Sequence, residues 1–291
     1  MDSLHKGLGW KRLESTRIEV SDANGLMDGP INPGWLILNM ETAQAAGAVI
    51  KWLHDGLRSG GLDQLRHLTV PIDVAEQVDW ELVGPILHSL HLTRPLSDTI
   101  YDIYNEGRLP FIPGKCFLGL EALHLPCPLA KWKTLRLCEF PALKWVGLLL
   151  DDLDKSGASL KVVDEAETVI ALDISSPKGT VFLNKIPLRI ESLAIRMWTS
   201  KSFDLAALLR LNGLRCLILR GGAGVIDANF FTKFEKLEEL EVASYPRMDD
   251  IKSLEGCRSL RRVEVSYMEE MTEKNRSDLM SLSDRIEVSC S

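Results

Sequence analysis

A short apolar pattern recurs along this chain: an apolar residue, two variable positions, a second apolar residue, one variable position, and a third. Leu214-Arg-Cys-Leu217-Ile-Leu219, Leu237-Glu-Glu-Leu240-Glu-Val242, Leu260-Arg-Arg-Val263-Glu-Val265 and Ser283-Asp-Arg-Ile286-Glu-Val288 align without gaps, their middle residues 23 apart. The second and third apolar positions are two residues apart, so both point to one face of an extended segment. Between copies the apolar spacing changes to that of a helical or 3₁₀ return, as in Phe230, Phe231, Phe234 and Leu237. Each unit is then one strand and one return segment. Carried toward the N-terminus, the template places further middle residues at 18, 38, 68, 90, 123, 146, 172 and 193. Units stacked side by side pair their strands in parallel and bury the inward residues in a continuous core.

Two long intervals interrupt the rhythm. The first holds Glu41 to Arg58, where Ala45, Val49, Trp52, Leu53 and Leu57 form one helical stripe before the stop signal Gly60-Gly61. The second runs from Arg94 to Phe117 and carries Tyr101, Tyr104, Pro110 and Pro113, the composition of a surface loop. A third excess, Asp151 to Glu167, reads as polar and solvated.

The pattern resembles the leucine-rich-repeat family, whose units run around L-x-x-L-x-L. Asp249 to Leu260 is similar to that family's short-helix linker. The resemblance implies an α/β fold: a right-handed solenoid, with a curved parallel β-sheet on the concave face and short helices, 3₁₀ turns and loops on the convex face. It further implies a single domain over residues 1–291, with about twelve repeats, an N-terminal cap at 1–14 and insertions near 41–61 and 94–117. One departure stands out. The family usually places Asn or Cys three residues after the third apolar position, to bond the backbone of neighbouring turns. Here those positions hold Pro177, Trp198, Gly222, Tyr245 and Met268 among others, so the turns need other partners for their backbone groups.

Charge and composition narrow the functional classes. The chain has 34 Lys+Arg against 41 Asp+Glu, a net charge of −7, which disfavours a nucleic-acid or anionic-membrane partner. No apolar window approaches the length of a membrane span, and the first ten residues lack a secretory apolar core. Six cysteines without a Cys-x-x-Cys pair fit reduced, packed thiols, so a cytoplasmic location is expected. Gly221-Gly222-Ala223-Gly224 follows a strand but is no complete phosphate-binding loop. No hydrolase, kinase or metalloprotease motif is present. The expectation is a non-enzyme without cofactor or metal.

Residues flanking the inward pair project onto the opposite sheet face. That rule places Trp145, Leu149, Trp198 and Ile218 there, where with Arg196, Arg220, Tyr245 and Tyr267 they would form an aromatic and arginine anchor for a protein partner. His67, His91 and His124 fall on three successive strands of that face, open to reading as ordinary surface histidines, a pH-sensitive contact patch or metal ligands. Of these, His91 and His124 join the anchor residues as candidates for partner contact. Glu239, Glu241, Arg262, Glu264, Arg285 and Glu287 alternate in sign across the last strands, as cross-strand pairs or as a charged docking surface. The resemblance and these groups together imply a protein-interaction module acting through its concave face, in the form of an inhibitor or immunity-type binder. The alternative is an adaptor or scaffold subunit of a larger assembly, such as a ubiquitin-ligase substrate receptor. The partner's identity is not encoded in any motif.

Overall fold

The structure is a computed structural model and describes residues 17–20, 34–38, 43–94, 109–150, 157–198 and 205–290. The expected cap at 1–14 and residues 95–108 of the second insertion, with Tyr101 and Tyr104, lie outside the described residues. The described residues divide into two compact units, one formed by those up to 148 together with 165–168, the other by 149–150, 157–164 and those from 169 onward.

In the first unit, β1 (Arg17–Val20), β2 (Trp35–Leu38), β3 (His67–Pro71), β4 (Ser89–Thr93), β5 (Ala122–His124) and β6 (Trp145–Leu149) pair in chain order, every neighbour parallel. The register runs Ile18, Leu36, Leu68, Leu90, Leu123 and Val146. The second rung is therefore centred on Leu36, two residues before the expected Leu38. Because side chains alternate with period two, that shift leaves both leucines on the core side, each at most 1% exposed.

In the second unit, β7 (Ala171–Ser175), β8 (Ser192–Trp198), β9 (Cys216–Gly222), β11 (Glu239–Ala243), β13 (Arg262–Ser266) and β14 (Glu287–Cys290) also pair in parallel. Their register runs Leu172, Leu193, Leu217, Leu240, Val263 and Val288. The expected last anchor, Ile286, is displaced by two residues. The return before it holds a true α-helix, α4 (Glu273–Met280), and a 3₁₀ turn at Ser281–Asp284, which delay the strand. Ile286 stays buried beneath that turn. A small ribbon of β10 (Ile226–Asp227) and β12 (Met248–Asp249) joins two successive returns.

Most returns are 3₁₀ turns whose apolar residues close the core, as Phe231 and Leu237 do at 0% exposure. Among the described residues four are α-helical, α4 being one of them. The first insertion forms α1 (Ala43–Arg58), with Ala46, Val49, Ile50 and Leu53 as its buried stripe and Gly60 at φ +77° just beyond its end. A short α2 (Trp80–Val83) follows β3, its N-terminus closed by the Asp79 carboxylate accepting from the Leu82 N–H. The 151–167 segment, expected to be solvated, contains α3 (Ala158–Asp164), which buries Ser159, Leu160 and Val163. Its C-terminal end is held by Arg189, which donates to the carbonyls of Val163 and Val169 and to the Asp164 carboxylate.

Candidate functional site

The turn that ends each strand of the second unit explains where the expected anchor residues go. Ser176, Met197, Gly221, Ser244 and Tyr267 each stand four residues after the middle apolar position of their rung, and all five have φ between +52° and +70°. A left-handed residue reverses the alternation of an extended chain, so the next residue turns back toward the core. Trp198 and Tyr245 occupy that next position and are 1% and 0% exposed. The Trp198 indole N–H donates to the Gly179 carbonyl at 2.8 Å, and its ring meets Phe182 edge to face at 5.6 Å. Gly222 lies opposite Trp198 in register, and the Tyr245 ring packs on it. The positions that would carry an asparagine ladder thus hold two buried aromatic rings with a glycine between them. Backbone bonds between turns take the ladder's place: Ser176 N–H to Arg196 O, Gly222 N–H to Ser244 O, Ser244 N–H to Ser266 O, and Glu269 N–H to Tyr245 O.

Two further members of the expected exposed patch are also covered. Ile218, 2% exposed, forms a small apolar cluster with Ala194 and Cys216 on the sheet face opposite the core. Trp145, 3% exposed, has its ring against Gly147, with His124 stacked on that ring at 6.3 Å and 23°. Only a glycine at 147 leaves room for this arrangement, since a Cβ there would run into both rings. Leu149, at the end of β6, is half-buried. An exposed aromatic patch made of Trp145, Trp198, Ile218 and Tyr245 is therefore replaced by buried packing. Alternation alone assigned Trp198 and Tyr245 outward, and it failed where φ turns positive.

The far face of the second unit's sheet also carries charged residues, of which Asp173 and Glu241 are buried. Asp173, Ala194, Ile218, Glu241 and Glu264 follow one another across β7, β8, β9, β11 and β13, and Arg196 and Arg220 stand side by side two residues further along. The two arginines lean apart. Arg196 Nε donates to both carboxylate oxygens of Asp173 at 3.0 Å, while Arg220 pairs with Glu241 on the opposite flank. Arg262 and Glu264 form a weaker pair at 3.4 Å. Both arginine heads are half-buried, and Tyr267, on its left-handed turn beyond β13, is 74% exposed.

On the first unit the histidines separate into two rows. His67 is buried, with its Nδ1 2.7 Å from Ser89 Oγ and its ring 6.2 Å from Trp35. His91 and His124 are register partners whose ring centroids are 4.0 Å apart. Burial first, and then the neighbouring His124 imidazole, hold the His91 ring far below its ordinary range, at about 2. Among the described residues no group of three His, Cys, Asp or Glu is placed to hold a metal ion, and no helix is long and apolar enough to cross a membrane. Cys127, Cys216 and Cys257 are buried, and burial pushes the Cys257 thiol up to about 11.

No protein-family model matches the chain, and no curated protein matches it significantly in sequence. Among solved structures it is similar to an internalin (InlF) of Listeria monocytogenes, at 14% identity over 87% of this chain and 79% of that one, with a TM-score of 0.44. A second Listeria monocytogenes internalin, C2, matches at 17% identity over 61% and 74% of the two chains, with a TM-score of 0.41. A Leptospira interrogans leucine-rich-repeat protein matches at 14% identity over 88% and 89%, with a TM-score of 0.39. By its own repeat and strand register, with one parallel strand and one short return per unit, the chain has the α/β leucine-rich-repeat fold, in a divergent form that fills the ladder position with aromatic rings.

Proposed function

We propose that this chain is a non-catalytic protein-binding module whose second unit docks a partner on the sheet face opposite its core, acting by occupancy as an inhibitor or immunity-type binder does. What supports the reading is the set of partly exposed charged residues Arg196, Arg220, Arg262 and Glu264 on neighbouring strands, with Asp173 and Glu241 buried as the ion-pair partners of the first two arginines and Tyr267 exposed beyond β13. Arg196 and Arg220 are register partners, so two guanidinium groups stand one strand spacing apart, about 4.8 Å, where a complementary protein surface can match them. Arg196, Arg220 and Tyr267 are its proposed contact residues. Trp145, Trp198, Ile218 and Tyr245 act behind them as packing. His91 and His124 on the first unit are a separate candidate contact.

The test is affinity capture of a stoichiometric partner by the wild-type chain, by Arg262→Glu and by Tyr267→Ala. Both side chains are partly or largely exposed, so the variants keep the fold, as circular dichroism would verify. Loss of the partner in either variant supports the reading. Retention in both, with folding intact, overturns it.

A further inference from the structure

We propose that a depression on the return-segment side of the second unit is an anion site that takes a phosphate monoester. It has a volume of about 580 Å³, within the usual range for small-molecule sites, and is lined by Lys161, Asp164, Lys185, Pro187, Leu188, Arg189 and Arg210 among others.

Three observations converge there. First, four cations face one carboxylate, and that carboxylate is already taken: Asp164 lies 2.7 Å from the Arg189 guanidinium. Lys161, Lys185 and Arg210 have no carboxylate within ion-pair distance among the described residues, whereas Lys144, Arg196, Arg215, Arg220, Arg247 and Arg262 each have one. In a chain of net charge −7 these cations gather positive charge at the depression.

Second, Arg210 is half-buried with its head oriented from within. It donates to the Leu183 and Ile186 carbonyls, which terminate the 3₁₀ turn at Val181–Lys185, and its Nε is shielded from solvent without an acceptor among the described residues. The nearest carboxylate, Asp164, is already paired with Arg189, so an anion in the depression would add counter-charge for a partly desolvated cation held by neutral carbonyls. Third, the wall beside the cations is apolar: Ile186 and Pro187 form it, and Leu188 is 62% exposed at the rim. A bare inorganic ion has no use for such a wall. An ester group does. The chemistry is therefore a dianionic head among Lys161, Lys185 and Arg210 with an organic substituent against Leu188.

Calorimetric titration with phenyl phosphate and with inorganic phosphate, at low and at high salt, tests this. Saturable binding is expected, tighter for phenyl phosphate and weakened by salt. The double variant Lys161→Glu with Lys185→Glu should bind roughly tenfold more weakly or worse. Lys161 is exposed and Lys185 half-buried, and an unchanged circular dichroism spectrum would show that the variant is folded. Amide shifts on binding should centre on residues 161, 184–189 and 210. Absence of saturable binding, or equal affinity in the double variant, overturns the site. Equal affinity for the two ligands overturns the role given to Leu188.

Discussion

The Tyr245 ring rests directly on Gly222 of the neighbouring rung, so closely that a Cβ at 222 would overlap the ring. This contact joins a fully buried aromatic residue to the one turn position between it and Trp198 that carries no side chain. Replacing Gly222 with Ala should therefore destabilise the chain by about 1–3 kcal/mol through overpacking, read as a lower urea midpoint. Combined with Tyr245→Ala, which makes its own cavity, the loss should be clearly less than additive. Additive costs would mean that the two residues do not touch.

The left-handed turns make a second, separable prediction. Gly221 has φ +70°, and a Cβ there would meet the Met197 backbone only at ordinary contact distance, so Gly221→Ala should cost about 1 kcal/mol from backbone conformation alone. Ser244, at φ +58° and exposed, is the reverse case. Ser244→Gly should stabilise by up to about 1 kcal/mol in the same unfolding measurement. A destabilised Ser244→Gly would argue against the left-handed turn there.

His91 predicts an acid-side loss of stability. Its ring is neutral in the folded chain down to about pH 2, held there by burial and by His124, whereas the unfolded residue titrates near 6.5. The unfolded state thus binds a proton that the folded state refuses. Stability from this group is complete above pH 6.5 and is lost as pH falls below it, by at most about 1.4 kcal/mol per pH unit. Urea midpoints at pH 7 and pH 5 should differ less in His91→Gln than in the wild type. Parallel shifts in the two proteins would remove His91 from the account.

Arg189 should matter more than its surface position suggests. It joins the end of α3 to the start of the next rung through two carbonyls and one carboxylate. Arg189→Ala should cost about 2 kcal/mol, with amide exchange rising most strongly in residues 158–164. Arg189→Lys should recover only part of this, because an ammonium cannot span the fork of contacts. Unchanged exchange in α3 would show that the cap is not what holds the helix.

The repeat itself was open to reading without coordinates because it is a local signal. Apolar residues two apart fix which side of a strand faces the core, and a register shift of two, as at Leu36 or Val288, changes no side chain's face. The same rule correctly placed Arg196, Arg220, Glu241 and Glu264 on the far face of the sheet. Turn geometry was not legible in this way. Trp198 and Tyr245 stand at the ladder position, yet their inward direction depends on a positive φ at Met197 and Ser244, residues that carry no glycine signal. Only stacking against the neighbouring turns holds those residues there. Likewise, nothing in the local sequence says that Trp145 covers Gly147, or that Lys161, Lys185 and Arg210, far apart along the chain, surround one depression. Those relationships come from which turns become neighbours, and that is decided by long-range packing rather than by any single rung.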